Sequence, residues 1–195
     1  MKPNYVDAFI NRGNAKAHNG DLDGAIEDYG KVIGLKPDDG IAYNYRGNAE
    51  QNKGDLDAAL ADFTKAIKLK PNYALAYNNR GWGEFLRGDF DSAINDATHA
   101  IQLDSKDGSF YGTQGSDLYG KGNISEALAA CNRAIELEGV NSLDAAVDQG
   151  MVTFINGDYQ KAIASWQKAI QHDAAARRFL ELWVEKAKAE SKKTP

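Results

Sequence analysis

A glycine followed by Asp or Asn returns along this chain at a fixed interval, and that interval limits the fold more than any other feature. The pairs are Gly20-Asp21, Gly54-Asp55, Gly88-Asp89, Gly122-Asn123 and Gly157-Asp158, spaced 34, 34, 34 and 35 residues apart. A period of this length marks an array of stacked supersecondary repeats, none of which can bury its apolar face alone. The clearest copy runs from Tyr43 to Pro71, YNYRGNAEQNKGDLDAALADFTKAIKLKP.

Within that copy, Ile41 to Lys53 reads as one amphipathic helix. A second starts at Asp55 and carries Leu56, Ala59, Leu60, Phe63, Ala66, Ile67 and Leu69 at i, i+3, i+4, i+7 spacing. Gly54 suits the left-handed cap that ends the first helix. Asp55 can accept the unpaired backbone N–H groups that open the second. Pro71 closes the repeat because proline cannot continue a helix. Small residues recur where the two helices must touch: Gly13, Gly47, Gly81, Gly115 and Gly150 on the first, Ala25, Ala59, Ala93, Ala127 and Ala162 on the second.

This pattern resembles the tetratricopeptide repeat. With Gly40 as position one, the family's aromatic fourth position is Phe9, Tyr43, Tyr77 and Tyr111. Its large twenty-fourth position is Tyr29, Phe63 and Trp166, with departures at Ala97 and Cys131. Its closing proline is Pro37 and Pro71, replaced by Ser105, Gly139 and Ala174. The repeats then run 6–39, 40–73, 74–107, 108–141 and 143–173, followed by a capping helix in 174–190 and a tail, 191–195, expected to be disordered. The resemblance implies an all-α fold, an α-α superhelix that is a right-handed solenoid of antiparallel pairs, about 11 helices in all.

Of the 195 residues, 43% are hydrophobic and 26% charged, a globular composition that the unbroken period organises as one array. A net charge of −5 argues against a nucleic-acid partner held by phosphate neutralisation. No apolar run is long enough to insert in a membrane, and no signal-peptide pattern opens the chain. The single cysteine, Cys131, reads as a small buried hydrophobe. Lys2-Pro3-Asn4-Tyr5 repeats Lys70-Pro71-Asn72-Tyr73, the end of a repeat, so a piece of a longer protein is expected. The compartment is open: cytoplasm is favoured, with periplasm or a membrane tether as alternatives for such a piece.

Arg12, Arg46 and Arg80 are each followed sixteen residues later by Asp28, Asp62 and Asp96; the fourth and fifth repeats hold Gln114 with Ala130 and Gln149 with Ser165. Arginine and aspartate appear together and vanish together, which predicts an ion pair bridging the two helices of a repeat. The fourth repeat, with Gly112, Gly115 and Gly120 in its first helix and one extra residue before the fifth, is expected to stack differently. In the last helix, from Ala175 to about Lys188, Phe179, Leu182 and Trp183, with Val184, form the expected apolar stripe.

Catalytic signal is slight. His18, His99 and His172 are scattered over three repeats, and no nucleophile elbow, phosphate loop or Cys/His pair is present, so no catalytic residue, metal or cofactor is expected. The recognition surface is more informative. In the family the inner groove is lined by the first helix of each repeat, which here places Asn11, Asn14, Asn44, Asn48, Asn78 and Asn79 in a row of amides. Amides donate and accept at once, so such a row suits an extended peptide backbone, and it resembles the asparagine ladder of O-GlcNAc transferase arrays. Trp82, Phe85, Tyr119, Met151 and Phe154 would supply an apolar anchor. The family's carboxylate clamp for acidic chaperone tails is not expected: Asn14 fits its asparagine place, but Ile10, Leu75 and Asn79 stand at its cation places. A non-catalytic scaffold that binds a protein or peptide partner is therefore the leading reading. The alternative is structural self-assembly into a homo-oligomer through the first repeat or the last helix.

Overall fold

The computed structural model describes residues 4–139, 143–172 and 177–193. Among them are eleven α-helices and no strand: α1 (Asn4–His18), α2 (Leu22–Leu35), α3 (Gly40–Lys53), α4 (Leu56–Leu69), α5 (Ala74–Arg87), α6 (Phe90–Leu103), α7 (Gly108–Lys121), α8 (Ile124–Glu138), α9 (Leu143–Ile155), α10 (Tyr159–His172) and α11 (Arg177–Ser191). Each helix packs on the next within a repeat, and α3 also touches α5 while α7 touches α9. The helices fall into two compact units, Met1–Leu103 and Asp104–Pro195. Lys2 and Pro3, the inter-repeat link at 140–142, residues 173–176, the side chains of His172 and Phe179, and Thr194-Pro195 lie outside the described residues.

The turn chemistry is as the period predicts. Gly20, Gly54, Gly88, Gly122 and Gly157 have φ of +82, +100, +82, +93 and +84°, a region that side chains with a Cβ rarely occupy. Four backbone N–H groups donate to the following carboxylates: Gly24 to Asp21 (3.0 Å), Ala58 to Asp55 and Ser92 to Asp89 (both 3.2 Å), and Lys161 to Asp158 (3.3 Å). These aspartates are helix caps.

In the N-terminal unit the core lies both within and between repeats. Val32 of α2 and Ala42 of α3 are buried with Val6, and Phe9, Ile10, Ile33 and Leu35 pack around them. The first-helix glycines face the large position of the second helix. A Cβ on Gly47 would stand 2.9 Å from the Phe63 ring, and one on Gly13 would stand 2.7 Å from Tyr29. The fourth repeat shows why its glycines are kept. α7 is continuous through them, and a Cβ on Gly112 would come within 2.6 Å of the Asp148 carboxylate on α9. They mark close helix approach as well as low propensity.

In the C-terminal unit, Phe154, Trp166 and Trp183 form an aromatic core with Tyr119 and Tyr159 around it. The Trp166 indole donates to the Val147 carbonyl at 3.0 Å. The stripe of α11 needs correction. Leu180, Trp183, Val184 and Ala187 are buried, at helical spacing, whereas Leu182 is 52% exposed. Leu182 stands about 200° around the helix from Leu180, on the opposite side. Ser191 belongs to the helix, and Lys193 pairs with Glu190 at 2.8 Å.

Candidate peptide-binding face

The Arg–Asp pairs are present in all three repeats of the N-terminal unit, and each is a two-toothed fork. Arg12 donates to Asp28 at 2.7 and 2.6 Å, Arg46 to Asp62 at 2.6 and 2.8 Å, and Arg80 to Asp96 at 2.6 and 2.8 Å. Each guanidinium also lies over the fourth-position ring of its own helix, Phe9, Tyr43 or Tyr77, at 5.3, 5.6 and 5.9 Å. Arg80 reaches one repeat back as well, donating to the Thr64 hydroxyl at 3.3 Å. The pairs are structural clasps. They tie up Arg12, Arg46 and Arg80, whereas Arg87 at the end of α5 stands 3.7 Å from Asp57 with its side chain 54% exposed.

The environment of the clasp changes along the unit. Lys16 stands 3.1 Å from Asp28 in the first repeat. The Arg12 guanidinium holds the Asp28 carboxyl far below the usual carboxylate range, with Lys16 adding to the effect. The matching place in the next two repeats holds Glu50 and Glu84. Burial, with the neighbouring Asp62 and Asp96 carboxylates, pushes each up to about 7.

The six candidate amides have divided roles. Asn44 is buried, donates to the Tyr73 hydroxyl at 3.3 Å and accepts from Asn79 at 3.1 Å. It is a bridge between α3 and α5, so its place in the ladder is corrected to an interior bond. Asn14 is exposed and accepts from the Tyr29 hydroxyl at 2.7 Å. Asn48 is exposed and accepts from Asn52 at 3.0 Å. Asn11 is exposed, and Asn78 and Asn79 are half-buried. On α5, Trp82 and Phe85 stack with centroids 4.7 Å apart, half-buried, and Leu75 and Leu86 of the same helix are 45% and 37% exposed.

The apolar residues of the C-terminal unit stand differently. Met151 and Phe154 are 3% and 2% exposed. Phe154 packs edge-on against Trp183 of α11 at 5.7 Å and against Tyr119 at 5.5 Å. Covered to this degree, neither side chain presents a surface to a peptide, so both leave the peptide-binding face and join the core. Tyr119 remains half-buried, under the Lys186 ammonium. Sequence reasoning missed Lys186; its spacing of three residues from Trp183 was the available signal.

Among the described residues no group of three His, Cys, Asp or Glu side chains could hold a metal ion, and no helix is long and apolar enough to cross a membrane. Burial pushes the Cys131 thiol far up, which favours the inert thiol over the reactive thiolate.

Antiparallel helix pairs at a fixed period, with glycine turns and alanine contacts, define a helical-repeat protein. Models of the tetratricopeptide repeat match residues 40–73 and 113–179, and a model of the TPR repeat matches 13–54. The chain belongs to the tetratricopeptide-repeat family. Solved structures agree in fold. TTC0263, a thermophilic TPR protein of Thermus thermophilus, aligns with a TM-score of 0.74 at 16% identity, over 93% of this chain and 98% of that one. A crystal structure of MamA aligns at 0.64 and 22% identity, over 91% and 97%. The first TPR domain of Spaghetti (RPAP3), bound to the HSP90 peptide SRMEEVD, aligns at 0.56 and 22% identity, over 62% and 92%. No curated protein sequence matches significantly.

Proposed function

We propose that the protein is a non-catalytic scaffold that binds an extended peptide or partner helix on the first-helix face of its N-terminal unit. The observation that carries this is α5. It presents Leu75 and Leu86, both exposed, on the helix that also carries Asn79 and the Trp82–Phe85 stack. Exposed leucines beside half-buried aromatics suit an apolar anchor. Asn11, Asn14, Asn48 and Asn79 supply donors and acceptors for the backbone of the same ligand.

The HSP90 peptide held by the Spaghetti domain has two glutamates and an aspartate near its end. Here Arg12, Arg46 and Arg80 are held by Asp28, Asp62 and Asp96. An acidic tail would find those cations already neutralised, so a neutral, apolar-anchored peptide is the better match.

Peptide display on the folded full chain tests the reading. Peptides carrying an apolar anchor should be selected, and a Leu75→Glu, Leu86→Glu variant with an unchanged helical spectrum should lose them. Selected peptides that bind that variant as well as the parent would remove this face from the function. Light scattering across concentration tests self-assembly in parallel: growth in mass that the same variant leaves intact would favour a homo-oligomer through other surfaces.

A further inference from the structure

Lys186 lays its ammonium across three aromatic rings. Its Nζ stands 4.7 Å from the Tyr119 centroid, 4.8 Å from Trp183 and 6.0 Å from Phe154. The rings come from α7, α11 and α9, so tertiary packing sets their geometry. They meet nearly at right angles: Tyr119 and Phe154 at 68°, Tyr119 and Trp183 at 66°, Phe154 and Trp183 at 70°. Three mutually steep ring planes form the corner of a box. Phe154 is braced from behind by Tyr159 and Trp166 at 5.5 and 5.8 Å, which fixes the corner in place. Lys186 itself is an exposed residue, whereas Phe154 and Trp183 beneath it are each 2% exposed, so the lysine closes the corner against solvent. Burial lowers its pKa and Glu190, one turn on and itself paired with Lys193 at 2.8 Å, acts the other way.

Ring faces attract cations, and the attraction grows with desolvation. A primary ammonium loses three hydrogen bonds to water when it enters such a corner. A trimethylammonium head has no N–H to desolvate and offers three methyl groups to the ring faces.

We propose that the Tyr119–Phe154–Trp183 corner is a binding site for a quaternary ammonium group, and that Lys186 fills it as an internal ligand until such a group displaces it. The site is separate from the peptide face of the N-terminal unit, and neither reading depends on the other.

The full chain and its Lys186→Ala and Lys186→Met variants are titrated with tetramethylammonium chloride, following the Trp183 indole N–H resonance by NMR. Sodium chloride at equal ionic strength is the control. A saturable shift is expected in Lys186→Ala, tighter than in the parent by about tenfold. Lys186→Met leaves an uncharged stem over the corner and should fall between them. Tyr119→Leu in the Lys186→Ala background, checked for an unchanged melting curve, should abolish the shift. Choline and free trimethyllysine then separate the sources: the tighter of the two indicates a small-molecule or a modified-protein ligand, and saturable binding of either supports the site. No saturable shift in Lys186→Ala, or one that survives Tyr119→Leu, would overturn the proposal.

Discussion

The two units close their helix pairs with different chemistry. In the N-terminal unit each pair is clasped by an arginine fork on a buried carboxylate, at Arg12–Asp28, Arg46–Asp62 and Arg80–Asp96. In the C-terminal unit the same two positions hold residues that cannot form an ion pair, Gln114 with Ala130 and Gln149 with Ser165. There, cohesion in the last repeat comes from rings, with Trp166 buried between Phe154 and Trp183. A clasp needs only one face of each helix, so the opposite face of α5 can keep exposed leucines. An aromatic core spreads across three helices and takes the first-helix side chains Met151 and Phe154 with it. One repeat fold thus serves both as a surface and as a plug.

Four experiments would break or sharpen that contrast. The largest effect is expected for Trp166→Ala, which removes a fully buried indole and should cost about 3–5 kcal/mol in chemical denaturation. Arg46→Ala comes next. It strands the Asp62 carboxylate, whose side chain is 9% exposed, and should cost about 3 kcal/mol. Gln149→Ala, at the matching place of the fifth repeat, should change stability by less than about 0.5 kcal/mol. Equal losses at Arg46 and Gln149 would end the contrast.

The third experiment is a pH series. Glu50 and Glu84 rise from an ordinary value of 4.5 to about 7 in the folded chain. The folded state therefore keeps protons that the unfolded state releases. Their contribution is complete below about pH 4.5 and is lost as pH rises through 7. Melting temperature should increase as pH falls from 8 towards 5, and a Glu50→Gln, Glu84→Gln variant should flatten that slope. The effect should be about 1–2 kcal/mol for each carboxylate. The smallest effect belongs to the pair Lys53–Asp23 at 2.5 Å, which links adjacent repeats in the open with side chains 50% and 79% exposed. Lys53→Ala should leave stability almost unchanged, and added salt should erase what difference there is.

Much of this was readable from the residues alone. The turn glycines and the clasp follow from spacing, because both partners lie within one repeat and the period aligns them. What failed depended on contacts between repeats. Asn44 looked like an inner-face amide, but its partners Tyr73 and Asn79 come from 29 and 35 residues away and draw it inside. Met151 and Phe154 occupy first-helix positions, yet both are buried, and Trp183 of α11 packs edge-on against Phe154. Reading the stripe through Leu182 rotated that helix away from its true contact. Repeat register tells which side chains share a face; it does not tell which faces the chain itself occupies.

Amide hydrogen exchange of the full chain, with and without a display-selected peptide, tests the division between an open and a filled face most directly. We expect new protection in α1, α3 and α5, with α9 to α11 unchanged. Protection confined to α9, α10 and α11, with the N-terminal unit exchanging as before, would contradict it.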